Sequence, residues 1–154
     1  MTLDRRKLLF TPLALGLCGF TQQPLTQQWN GGHPEALKAI WDLLAAPKVS
    51  TDTKTGLMTA AFTDDLKRMN GTVIEVDGFI LPLDPGREAI HFALTRRNAG
   101  CPFCPPSQPT EAAEVVLMSP VKITGDLITV SGRLVLHPSS DQGMFYQLQG
   151  ATVI

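Results

Sequence analysis

Asn70-Gly71-Thr72-Val73-Ile74-Glu75-Val76-Asp77-Gly78-Phe79-Ile80-Leu81-Pro82-Leu83 carries a turn followed by a long β-type run. Asn-Gly is turn chemistry, because both residues tolerate the left-handed backbone that a tight reversal needs. The run behind it is dense in β-branched and apolar side chains, so a strand is expected over Thr72–Leu81. Gly78 lies inside that pattern, where a missing side chain marks a bulge or the tight coil of a small closed barrel.

The same grammar recurs downstream at Ile90–Thr95, Ala113–Met118, Leu127–Leu136 and Phe145–Val153. Ile90, Phe92 and Leu94 alternate onto one face, as do Ile128, Val130, Leu134 and Leu136, so each strand has a dry side and a wet side. Gly132 repeats the placement of Gly78. Five such strands predict a mostly β domain, a small five-stranded, partly open OB-like barrel, over residues 57–154.

Upstream, Pro34 and Glu35 follow Gly31-Gly32 and open a helix on which Leu37, Ile40, Trp41 and Leu44 keep i, i+3, i+4, i+7 spacing, with Pro47 closing it. Residues 48–56 are rich in Thr, Lys and Asp without periodicity and read as a linker or exposed loop. Met58–Met69 reads as a short helical or extended lead-in. The chain therefore divides into a signal segment, 1–21, one amphipathic helix with its linker, 22–56, and the barrel domain.

The leader has its own chemistry. Asp4-Arg5-Arg6-Lys7 places a cationic head before the apolar run Leu8–Phe20, the order of a signal peptide. Arg5 and Arg6, with an acid before and leucines after, resemble the twin-arginine signal, which implies the Tat export machinery as a partner and a periplasmic destination. The run falls short of the roughly 20 apolar residues that a permanent transmembrane span requires. No Ala-x-Ala cleavage site is present, and the bulky Leu17 argues against lipid anchoring at Cys18.

The chain of 154 residues is 44% hydrophobic and 18% charged, as ordinary one-domain proteins are. Its net charge is −1, and −3 once Asp4, Arg5, Arg6 and Lys7 are set aside. That sign does not attract phosphate backbones, and Arg96-Arg97 is the one basic pair of the β region, so nucleic-acid binding is not expected. No Gly-rich phosphate loop, His-Glu-x-x-His helix or Gly-x-Ser-x-Gly elbow is present. Asp64-Asp65 and Glu111 with Glu114 read as solvated faces rather than acid/base pairs.

One cluster carries chemistry: Cys101-Pro102-Phe103-Cys104-Pro105-Pro106. In thiol oxidoreductases the first Cys of such a pair caps a helix that acidifies it, but Pro105 and Pro106 oppose a helix here. A loop disulfide in an oxidising compartment is one reading; its short ring adds little loop-closure entropy and is easily reduced. Soft-metal binding, zinc or copper, is another, with His91, His137 or His33 completing a thiolate pair. Of these, His91 lies opposite Ile90, Phe92 and Leu94 and so faces outward, and His137 ends a strand.

Trp41-Asp42-Leu43-Leu44, Phe62, Leu66, Asn70-Gly71-Thr72-Val73, Gly78-Phe79-Ile80-Leu81-Pro82-Leu83, the Cys/Pro loop Cys101–Pro109 and Gly132-Arg133-Leu134 together resemble a family of small exported bacterial proteins, catalogued as domain of unknown function 3299. The resemblance spans residues 40–154 and implies an OB-like fold and an exported compartment; it implies no reaction.

The sequence thus points to an exported accessory or binding module, not an enzyme, whose Cys101/Cys104 loop, with His91, handles a soft metal ion or docks a periplasmic partner. The rivals are a thiol-disulfide redox protein with Cys101 attacking and Cys104 resolving, and an envelope scaffold in which the pair is a structural bond.

Overall fold

A computed structural model describes residues 34–100 and 107–154. Helix α1 (Pro34–Ala45) is followed by two short antiparallel strands, β1 (Lys48–Thr51) and β2 (Met58–Ala61). Helix α2 (Asp64–Met69) starts where Thr63 Oγ1 accepts from Leu66 N, and Asp64 and Asp65 meet the positive end of its dipole. The two acids are solvated and bonded to Lys67 and Arg68, as expected for a surface helix.

The barrel follows: β3 (Val73–Pro82), β4 (Glu88–Thr95), a 3-10 turn at Pro109–Glu111, β5 (Ala112–Lys122), β6 (Leu127–Leu136), the two-residue β7 (Ser139–Ser140) and β8 (Tyr146–Val153). Its closed order is β3-β4-β5-β8-β6. The first three strands form a meander, β6 returns to pair with β3, and β8 fits between β5 and β6, parallel to β5. This is the five-stranded OB-like barrel that the strand grammar predicts.

Gly78 shows why closure works. There β3 leaves β6, which it pairs from Val73 to Phe79, and takes up β4, which it pairs from Phe79 to Pro82. A Cβ at Gly78 would lie 2.7 Å from Leu94 Cγ and 2.8 Å from the Thr95 carbonyl oxygen. Gly132 lies where the β6–β8 register shifts, and a Cβ there would be 2.9 Å from that of Ala151. Both glycines let neighbouring strands come closer than any side chain permits.

Val76, Phe92, Leu94, Val115, Val130, Leu134, Phe145, Tyr146 and Leu148 fill the interior. Ile40, Trp41 and Leu44 of α1 belong to the same core. Two polar bonds seat the helix: Trp41 Nε1 donates to Asp77 O at 2.5 Å, and Tyr146 Oη donates to Leu44 O at 2.6 Å. Burial pushes the Tyr146 phenol above its ordinary pKa, so it stays a donor across the neutral range.

Three expectations need correction. Ile90 does not join Phe92 and Leu94 inside: the β4–β5 register shifts between Ala89 and His91, and Ile90 on that irregularity is exposed. Residues 48–51, read as linker, form β1, because β2 pairs β1 on one side and β7 on the other. Glu111 is no solvated face; only 5% of the residue is exposed. Among the described residues, no helix is long and apolar enough to cross a membrane.

Candidate functional site: the base of the Cys loop and the outer β4–β5 face

The chain leaves β4 at Thr95 and returns at the 3-10 turn, and residues 96–100 and 107–108 flank the Cys segment between them. Cys101 and Cys104 lie outside the described residues, as do His33, Cys18, Arg5 and Arg6. What the structure does define is the loop's base.

Glu111 ties that base together. Its Oε1 accepts from Arg97 Nη2 at 3.1 Å and from Arg96 Nη1 at 3.4 Å, and its Oε2 accepts from the backbone N of Gln108 at 3.1 Å. The main chain closes the same knot, Arg96 N donating to Glu111 O at 3.0 Å and Glu111 N to Gln108 O at 2.8 Å. Arg96 also reaches out to Asp42 of α1 at 2.6 Å. One buried carboxylate therefore joins both ends of the loop, and one guanidinium links them to the N-terminal helix. Charge-assisted bonds of this kind are stronger than neutral ones.

Beside this knot opens a groove of about 440 Å³. It is lined by Leu81, Thr95 and Ala112 from three neighbouring strands, by Asn98, Ser107 and Gln108, and by Gln142 and Met144 before β8. The groove therefore lies where the end of β4 and the start of β5 meet the segments on either side of them. Thr95 Oγ1 donates within the fold, to Phe79 O and to Arg97 O, so that hydroxyl is already satisfied.

His91 is where the alternation predicts, outward on β4. It contacts Glu114 of β5, Nε2 to Oε1 at 2.6 Å. Gln147 donates to the other oxygen of Glu114 at 2.8 Å, and Gln149 donates to Gln147 at 2.6 Å. The charge pattern along 111–114 predicts two exposed acids; in the structure Glu114 orients an imidazole and Glu111 ties Arg96 and Arg97 to Gln108. The capping-box spacing of Gln108 and Glu111 was the sequence signal for the latter. His137 ends β6 as expected, its N–H donating to Phe145 O at 2.9 Å. Among the described residues, no group of three His, Cys, Asp or Glu side chains is placed to hold a metal ion.

No family profile matches the chain, and no curated protein matches it. A solved structure does. The likeness is to a DUF3299 family protein from Pseudomonas aeruginosa PAO1. The two are 19% identical over 62% of this chain and 67% of that one, with a TM-score of 0.48.

Proposed function

We propose that this protein is an exported accessory module that binds a periplasmic partner in the groove beside the 3-10 turn, with the Cys101/Cys104 segment as the recognition element. The observation that supports this is the clamp: Glu111 holds Arg96, Arg97 and Gln108, so the two flanks of the Cys segment are tied together alongside the groove.

A second reading, soft-metal handling by Cys101, Cys104 and His91, draws support from the Glu114 contact. A carboxylate on one imidazole nitrogen fixes the ring and leaves Nδ1 for a ligand, the arrangement that accompanies metal-bound histidines. The redox and scaffold readings draw on the Cys pair alone.

The deciding experiment is mass spectrometry of the protein purified from the periplasm, native and then denatured with alkylation, beside the Cys101→Ala/Cys104→Ala variant. Zinc or copper that is present in the wild type and lost in the variant supports the metal reading. A metal-free disulfide sinks it; pull-down with a Met144→Glu variant, which places a charge in the groove wall, then tests docking. Unchanged partner recovery with that variant removes the groove from the function.

A further inference from the structure

Strand β3 also pairs with β6, in a ladder in which Glu75 stands opposite Ser131 and Asp77 opposite Thr129. Val76 and Val130, which alternate with these residues, are fully buried in the core, so all four oxygen-bearing side chains share the outer face. Directly opposite side chains are about 5 Å apart and successive rungs about 7 Å, so the four make a compact square.

The square is not satisfied. Asp77 is only 8% exposed, and its Oδ1 has no hydrogen-bond partner; neither does the buried Oε2 of Glu75. Among the described residues these are the two such side-chain atoms, and no ion pair reaches either carboxylate. A buried, unpaired carboxylate oxygen is strongly unfavourable, and two neighbouring ones more so. A bound cation removes that cost.

We propose that Glu75, Asp77, Thr129 and Ser131 form a binding site for a hard divalent cation, calcium in preference to magnesium. The donors are oxygen only, which suits hard cations and not the soft metals considered for the Cys loop. A strand ladder sets its side-chain spacing by backbone geometry. Calcium accepts irregular coordination at 2.3–2.6 Å, about the usual range, whereas magnesium demands a tighter octahedron. The site lies beneath the point where Trp41 pins α1 to the carbonyl of Asp77, so the ion also strengthens the docking of that helix.

The test uses the full chain, stripped with chelator and dialysed into metal-free buffer, titrated with calcium chloride by calorimetry and followed by thermal melting. One calcium per chain is expected, with a Kd on the order of 10⁻⁴ to 10⁻³ M, as in extracellular calcium modules, and a rise in Tm. Asp77→Asn and, separately, Thr129→Val each weaken binding about tenfold or more. Thr129→Val keeps side-chain shape and strand propensity, so it reports even where Asp77→Asn perturbs folding. Absence of saturable uptake, or unchanged affinity in Thr129→Val, overturns the proposal; magnesium binding as tightly as calcium overturns the preference.

Discussion

Replacing Glu111 by Gln keeps the shape of the side chain and removes its charge, which makes it a direct probe of the loop clamp. The carboxylate is 7% exposed and serves two guanidiniums and one backbone N–H. Breaking a fully buried ion pair costs about 3–5 kcal/mol. Here the stranded partners are not fully buried: Arg96 is 24% and Arg97 36% exposed, and Arg96 keeps Asp42. Hydration of the two cations therefore brings the expected loss down to about 1–3 kcal/mol, the range for single charge-assisted hydrogen bonds. For a domain of this size that lowers Tm by roughly 4–12 °C. Differential scanning calorimetry reads the loss, and amide hydrogen exchange at Arg96 and Glu111, whose N–H groups close the loop base, should rise with it. Asp42→Asn removes only the exposed arm of the network and should cost about 0.5 kcal/mol. A Glu111→Gln protein that melts within about 1 °C of wild type, with unchanged exchange at both amides, would refute the clamp.

Gly78→Ala should destabilise the barrel by about 1–3 kcal/mol in urea melts, because the added methyl meets a backbone oxygen at 2.8 Å that the β3–β4 ladder holds in place. Gly125→Ala, where nothing lies within 4 Å, is the control, and equal midpoints for the two variants would reject the close-approach argument. Tyr146→Phe should cost about 1–2 kcal/mol by leaving the Leu44 carbonyl without its donor. It should also flatten the alkaline limb of the stability curve. In the unfolded chain the phenol ionises near pH 10, roughly, whereas burial keeps it protonated in the fold. Its contribution is therefore full below that pH and falls as pH rises further. Wild-type and Tyr146→Phe curves that stay parallel above pH 10, roughly, would contradict this assignment.

The fold was legible because its signals are local. Period-two alternation located the five barrel strands, with Leu127–Leu136 matching to the residue. Gly78 and Gly132 marked the two places where strands crowd, since no other residue permits that approach. The α1 stripe of Ile40, Trp41 and Leu44 named its buried face before its partner was visible. Where the reading slipped, a distant partner had intervened. Ile90 has the right parity for the core, but the bulge against β5 turns it outward. Lys48–Thr51 carries no strand pattern of its own, and pairing with β2 makes it a strand. Glu111 and Glu114 look alike in sequence, yet one is buried under Arg96 and Arg97 and the other holds His91.

Local pattern was enough to show which segments extend, which faces stay dry, where a side chain is forbidden, and that a Cys-x-x-Cys motif lies between two strands. Tertiary structure alone decided the order in which strands close, the seating of α1 through Trp41 and Tyr146, the groove beside the loop, and the unpaired carboxylates of β3. The physical reason is range. Periodicity and turn chemistry are properties of a few neighbouring residues, whereas Tyr146 and Leu44 stand 102 positions apart and Arg96 and Asp42 stand 54 apart. Such partners are chosen by closure of the barrel, and no local pattern encodes them.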